Sequence, residues 1–150
     1  MPKPIRISRH FNATVERVFE VMTDFRAAPQ RIPAIKKVEV LTDGPVGKGT
    51  RFRETRIMFG REATETMEVT EFDPPHSLTV GGNSCGTIFA SRFRFRPSGS
   101  GTELEMELTT KPVSMFAKLM SPLAAFMMGP MKKAMSADID AIQKVCERGE

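Results

Sequence analysis

Residues 114–150 read SMFAKLMSPLAAFMMGPMKKAMSADIDAIQKVCERGE and hold six of the chain's eleven methionines. At about 100° per residue, Phe116, Met120, Leu123, Met127, Met131, Ala134, Met135, Ile142 and Val145 fall on one side of a helix. Lys118, Lys132, Lys133, Asp140, Gln143, Lys144 and Glu147 fall on the other. Such a helix needs an apolar surface to lie on. Proline removes a backbone donor and crowds the preceding turn, so a kink is expected near Gly129-Pro130. Ser121-Pro122 reads as a fresh N-cap and first helical position. Either the helix curves around its support, or residues 114–129 form a jointed lid. Whether it closes over a solid core or a hole decides what the protein can do.

The support must come from the residues before it. Residues 35–110 read as six strands, about 35–42, 49–59, 61–72, 77–82, 87–96 and 102–110, with no helical stretch between. Turn signals punctuate them: Asp43-Gly44-Pro45, Gly60-Arg61, Asp73-Pro74-Pro75, Gly81-Gly82-Asn83 and residues 97–101. Short connections make neighbouring strands antiparallel. Upstream, Pro4–Phe11 alternates as a strand, with Arg9 as a charge on its apolar side. Thr14 is placed to cap a helix bearing Val15, Val18, Phe19 and Met22, and Asp24 a second, short one limited by Pro29 and Pro33.

Two hairpins carry more detail. Opposing Arg96 to Glu103, Arg94 to Glu105 and Arg92 to Glu107 places unlike charges across a wet face and stacks Phe95 on Leu104 and Phe93 on Met106 beneath. The arginine row therefore reads as a solvated salt ladder, and no nucleic acid is expected as a partner. A turn at Gly60-Arg61 would pair Phe52 with Val69, Glu54 with Met67, Arg56 with Glu65 and Met58 with Ala63. That face holds Phe52, Met58, Met67 and Val69 together with Glu54, Arg56 and Glu65. Ionisable groups on a core face are costly unless they are paired, or unless water or a polar ligand reaches them.

Composition narrows the classes. A chain of 150 residues with 40% hydrophobic and 27% charged residues suits one folded domain, 1–150. A formal charge of +4 tolerates acidic partners without demanding one. Cys85 and Cys146 are too few for a disulfide framework or a metal knuckle, and a reducing cytoplasm is expected. The N-terminus lacks the apolar segment of a signal peptide. The stretch Leu119–Met131 is too short to span a bilayer. There are eleven Phe but no Trp and no Tyr.

The order strand, two short helices, six antiparallel strands and a long helix resembles the helix-grip fold. Particular segments are similar to the START-related, polyketide-cyclase/dehydrase-like (SRPBCC) superfamily. Residues 11–19, FNATVERVF, resemble its first strand-to-helix junction, with Asp24-Phe25 as the sequel. Residues 44–52, GPVGKGTRF, resemble the glycine-rich start of its third strand, and residues 69–75, VTEFDPP, followed by Leu78, an internal motif. Residues 99–104, GSGTEL, resemble its last turn and strand. The resemblance implies an α+β fold, a curved seven-stranded antiparallel sheet (β-α-α-β6-α) wrapped around a long, Pro-kinked C-terminal helix. It also implies an elongated cavity between them that holds lipids, sterols, polyketides or other largely apolar molecules. None of these motifs is catalytic, and one fold hosts many functions.

The expected ligand-binding set is Phe25, Ile32, Phe52, Met58, Met67, Phe93, Met120, Met127, Met131 and Met135, with Glu54, Arg56, Glu65 and Asp138 as polar members. Unbranched thioethers fill cores, but they also adapt to irregular binding surfaces. At least three of the six C-terminal methionines are expected to line the cavity. Asp138 interrupts the apolar stripe. Either a phase shift after Pro130 turns it to solvent, or it faces the cavity and meets Arg56 or Arg9. His10 and His76 read as surface residues, so no metal site is expected. Cys146 fits the buried edge of the helix and Cys85 a loop. No catalytic triad, phosphate loop or nucleotide fingerprint is visible, and no cofactor, catalytic residue or protein partner is assigned. The reading is a binder of a small hydrophobic or amphipathic molecule. The alternative is a cyclase or dehydratase acting on a polyketide-like substrate in the same cavity. The lack of Tyr and Trp counts against the alternative. Transient membrane contact through residues 119–131 is compatible with the first reading.

Overall fold

The computed structural model describes residues 3–148. Met1, Pro2, Gly149 and Glu150, which belong to the terminal stretches read above, lie outside the described residues. The chain opens with β1 (Ile5–Phe11) and α1 (Val15–Thr23). Thr14 caps α1 as expected, its hydroxyl accepting from the Arg17 N–H at 3.2 Å. A 3₁₀ turn (Phe25–Ala27) and a short α2 (Ala28–Arg31) follow. Asp24 precedes them without capping them. Its φ of −84° and ψ of 74° are not the extended conformation of an N-cap. Its carboxylate instead lies 3.5 Å from Arg31 Nη1.

Six strands follow: β2 (Ile35–Val40), β3 (Arg51–Met58), β4 (Arg61–Asp73), β5 (Ser77–Ser84), β6 (Thr87–Ser98) and β7 (Gly101–Pro112). They form one antiparallel sheet in the order β1-β7-β6-β5-β4-β3-β2. Because β1 and β2 sit at opposite edges, α1 and α2 carry the chain across one face of the sheet. Register shifts between Ile35 and Lys37 and between Val69 and Glu71 are bulges, which bend strands and increase twist.

The β6–β7 register is the expected one, with Arg96, Arg94 and Arg92 opposite Glu103, Glu105 and Glu107. The β3–β4 register differs from expectation by two residues. Phe52 pairs with Met67, Glu54 with Glu65, Arg56 with Ala63 and Met58 with Arg61. The turn is Phe59-Gly60, with φ of 54° and 77°, rather than Gly60-Arg61. Two consecutive positive φ values match the twist of a hairpin, and glycine takes the second place. A phenylalanine in the first is uncommon enough that the sequence points to the wrong pair. Likewise β5 continues through Gly81-Gly82 and turns at Cys85-Gly86. The glycines are needed in mid-strand because a Cβ on Gly82 would lie 2.8 Å from the Phe89 ring.

The C-terminal stretch forms α3 (Met115–Leu119), α4 (Ser121–Phe126) and α5 (Met128–Arg148). Its interruptions fall at Met120 and Met127. Pro130 stands in the first turn of α5, where its missing N–H would have had no helical partner. Ser121 is the first residue of α4 rather than its cap; its hydroxyl donates to the Ala117 carbonyl at 3.3 Å. Ser114 caps α3, accepting from the Ala117 N–H at 3.0 Å.

The densest packing lies beneath α1. Phe19 stands between Phe72 and Phe95, ring centroids 5.4 and 5.3 Å away. Phe11, Val18, Val69, Leu78 and Leu104 surround them, all essentially excluded from solvent. The second half of α5 closes this end with Ile139, Ile142, Val145 and Cys146.

Candidate functional site

Val69, Phe95 and Leu104 are fully buried on the inner face, whereas Ala63, Ser84, Thr87, Ser91 and Thr110 stand among larger side chains around a space. Small residues there leave space that the helix does not fill. The result is a cavity of about 470 Å³ between the sheet and the first half of α5.

Twelve of the fourteen expected residues line it. Phe52, Glu54, Arg56 and Met58 come from β3, Glu65 and Met67 from β4, and Phe93 from β6. Phe25 and Ile32 enter from the crossover, and Phe25 stacks on Phe52 at 4.3 Å between centroids. Met131, Met135 and Asp138 project from α5. Met120 and Met127 do not reach the cavity. They sit at the two breaks flanking α4, and Met127 is exposed. Two of the six C-terminal methionines therefore line it, where three were expected. The other methionine lining comes from Met22, Met58, Met67 and Met106. Sequence reading left out Ile139 and Ile142 of α5 and Phe89, Met106 and Leu108 of the sheet. Strand alternation on β6 and β7 would have found the last three. Ile139 lies four residues after Met135 and belonged to the stripe.

The ionisable groups form a connected set. Arg56 donates from Nε to Glu54 Oε1 at 2.5 Å and from Nη2 to Asp138 Oδ2 at 2.8 Å. Asp138 thus faces inward and meets Arg56, while Arg9 pairs with Asp140 instead. Glu65, expected opposite Arg56, accepts from Ser84 Oγ at 2.5 Å. Burial holds the Asp138 carboxyl above its ordinary value although Arg56 pulls the other way. Burial also works against the Arg56 cation, but Asp138 and Glu54 together hold its pKa above the ordinary value. A charged cluster held on an apolar wall can orient a polar ligand group, and Asp138 is a candidate proton donor.

Other candidates are weaker. His10 is exposed, its Nδ1 3.5 Å from Glu103. Burial pushes the Cys146 thiol up to about 11, which leaves it protonated and a poor nucleophile. Cys85 is exposed in its turn. Among the described residues no group of three His, Cys, Asp or Glu is placed to hold a metal ion, and no helix is long and apolar enough to cross a membrane. The apolar stripe does not continue under cover into α3 and α4. Met115, Phe116, Leu119 and Phe126 are 86%, 68%, 76% and 81% exposed, and Leu123 is exposed as well.

A curved antiparallel sheet gripping a long C-terminal helix over an apolar pocket is a helix-grip type of fold. Residues 4–147 match the model of the family described as polyketide cyclase / dehydrase and lipid transport, and the chain belongs to that family. Solved structures share the fold at low identity. TTHA0849 from Thermus thermophilus is 18% identical, with 99% of each chain covered and a TM-score of 0.78. A START superfamily protein from Mycobacterium smegmatis is 18% identical, covering 98% of this chain and 99% of its own, at 0.76. The Zhui aromatase/cyclase from Streptomyces sp. R1128 is 18% identical, covering 97% and 94%, at 0.77. No curated protein matches the sequence significantly.

Proposed function

We propose that the protein reversibly binds one small apolar or amphipathic molecule, lipid-, sterol- or polyketide-like, in the cavity under α5. The observation that carries this reading is the space itself. At about 470 Å³ it is roughly three times the ~150 Å³ engineered cavity that suffices to hold benzene, and it lies within the usual range for small-molecule sites. Phe25, Ile32, Phe52, Met58, Met67, Phe93, Met131 and Met135 would supply the apolar contacts, at about 25 cal/mol per Å² buried. Two free cysteines fit a reducing, cytoplasmic setting. A neutral solvatochromic fluorophore tests the reading. It should bind saturably, one per chain, and Ala63→Trp, which fills the space, should abolish binding without loss of cooperative unfolding. Absence of saturable binding to the folded wild type would refute it.

One observation favours a second reading, a cyclase or dehydratase: Asp138, Glu54 and Glu65 stand inside the cavity, where a proton donor must lie within about 3 Å of the substrate. Asp138→Asn would then lower turnover of a polyketide-like substrate far more than it weakens binding of that substrate. The exposed apolar residues of α3 and α4 also favour delivery at a membrane. Residues 111–137 carry Lys111, Lys118, Lys132 and Lys133 and no acid, a pattern suited to an anionic bilayer surface. Phe126→Glu should abolish flotation with anionic liposomes. Unchanged flotation would exclude this surface.

A further inference from the structure

The charges that line the cavity do not balance. Four carboxylates (Asp24, Glu54, Glu65, Asp138) stand against two guanidiniums (Arg31, Arg56), in a chain whose formal charge is +4. Asp24 and Arg31 form a loose ion pair at 3.5 Å, in which Arg31 Nη1 makes no hydrogen bond. Three carboxylates and Arg56 remain. Glu54 and Glu65 are direct cross-strand partners on the inner face, and like charges placed so repel and cost stability. Arg56 does not relieve both. Its Nε is on Glu54 and its Nη2 on Asp138. Glu65 is left with the neutral hydroxyl of Ser84, and among the described residues it forms no ion pair. A half-buried carboxylate opposite a second carboxylate, beside Phe89, Met58 and Met67, is an unmet demand for positive charge on an apolar wall.

We propose that the ligand is a cationic amphiphile, an apolar body bearing a basic nitrogen whose ammonium sits between Glu54 and Glu65. This rests on the cavity being a binding site. The ammonium would give Glu65 the charge-assisted hydrogen bond that Ser84 cannot and would remove the Glu54–Glu65 repulsion. A ligand carboxylate meets the reverse situation. Arg56 is already divided between two carboxylates, and Glu65 would repel the newcomer. Beside Glu65 a fatty acid should therefore bind less tightly than an amine of the same tail, although it matches the apolar lining and Arg31 Nη1 is without a hydrogen bond elsewhere in the wall.

Three ligands with one tail separate the terms. Decylamine, decanol and decanoic acid are titrated at pH 7 against the bound neutral fluorophore, each below its micelle concentration. The amine should displace it at a concentration at least about tenfold lower than the acid, with the alcohol between. In Glu65→Gln the amine should lose its advantage over the alcohol. Decanoic acid equalling or exceeding the amine in the wild type would overturn the inference, and so would an amine-to-alcohol ratio that Glu65→Gln leaves intact. If Glu65→Gln does not unfold cooperatively, the wild-type series alone decides. Decanol binding without any preference for the amine overturns the charge inference only. If neither fluorophore nor decanol binds, the cavity reading itself falls.

Discussion

The second half of α5 and the pair α3–α4 come from one apolar-rich stretch, yet they end in opposite environments. Ile139, Val145 and Cys146 are 2%, 4% and 3% exposed, whereas Met115 and Phe126 exceed 80%. Hydrophobicity does not separate them; the available surface does. The second half of α5 meets β1 and α1 and is tied to them by polar contacts. Arg9 pairs with Asp140 and donates to Gln143 Oε1 at 3.1 Å. Gln143 donates to the His10 carbonyl at 2.9 Å, and the Asn12 N–H donates to Glu147 at 2.8 Å. For α3 the described anchor is its start, where the Val113 and Ser114 N–H groups donate to the Gly86 carbonyl. A side chain at Gly86, whose φ is 82°, would collide with Ser114. One half of the stretch is built into the core, and the other is held at one end and presented. Between them, Met131–Asp138 faces the cavity.

Substitutions can break this contrast. Ile139→Ala should cost about 2–5 kcal/mol in urea unfolding, because it enlarges a space beneath a buried helix. Phe126→Ala should stay within about 0.5 kcal/mol. Equal costs would show that the first half is packed too. Gln143→Ala, which removes the donor to His10 and an acceptor for Arg9, should cost about 1 kcal/mol.

Asp138→Asn sharpens the contrast at the cavity. The Asp138 carboxyl is held above its ordinary value, chiefly by burial. Its stabilising contribution is therefore present at low pH and lost as pH rises through the folded-state value. Asp138→Asn removes that titration but also takes a charge partner from Arg56, so its clean signature is a flatter dependence of stability on pH. An unchanged pH profile would contradict this. Glu147 behaves oppositely. The Asn12 N–H, then Gln143, lower its pKa. Its contribution is present above the ordinary carboxylate value and lost as pH falls. The small Tm difference between wild type and Glu147→Gln should shrink as pH falls below the ordinary carboxylate range.

Much of this was legible in the residues. Alternation, turn signals and the Thr14 cap place every strand and the crossover, and opposed charges set the β6–β7 register. Besides the Asp24 cap and the β5–β6 turn, three larger things escaped. The β3–β4 register depends on Phe59 adopting a positive φ, which no propensity favours. The breaks at Met120 and Met127 come two and three residues before Pro122 and Pro130, which stand in the first turns of α4 and α5, so the chain stops and restarts where a single curved helix would have kept Met120 and Met127 on its stripe. Met120 and Met127 left the expected site for that reason. The inward turn of Asp138 was an open alternative in the sequence, because a helical stripe cannot say whether its one charge meets a partner. Arg56, on another element, decides it.

Native mass spectrometry of the purified protein, before and after addition of the neutral fluorophore, tests the central claim most directly. A single retained or added small molecule per chain is expected, lost in Ala63→Trp. A bare chain that takes up no apolar probe while remaining folded would contradict it.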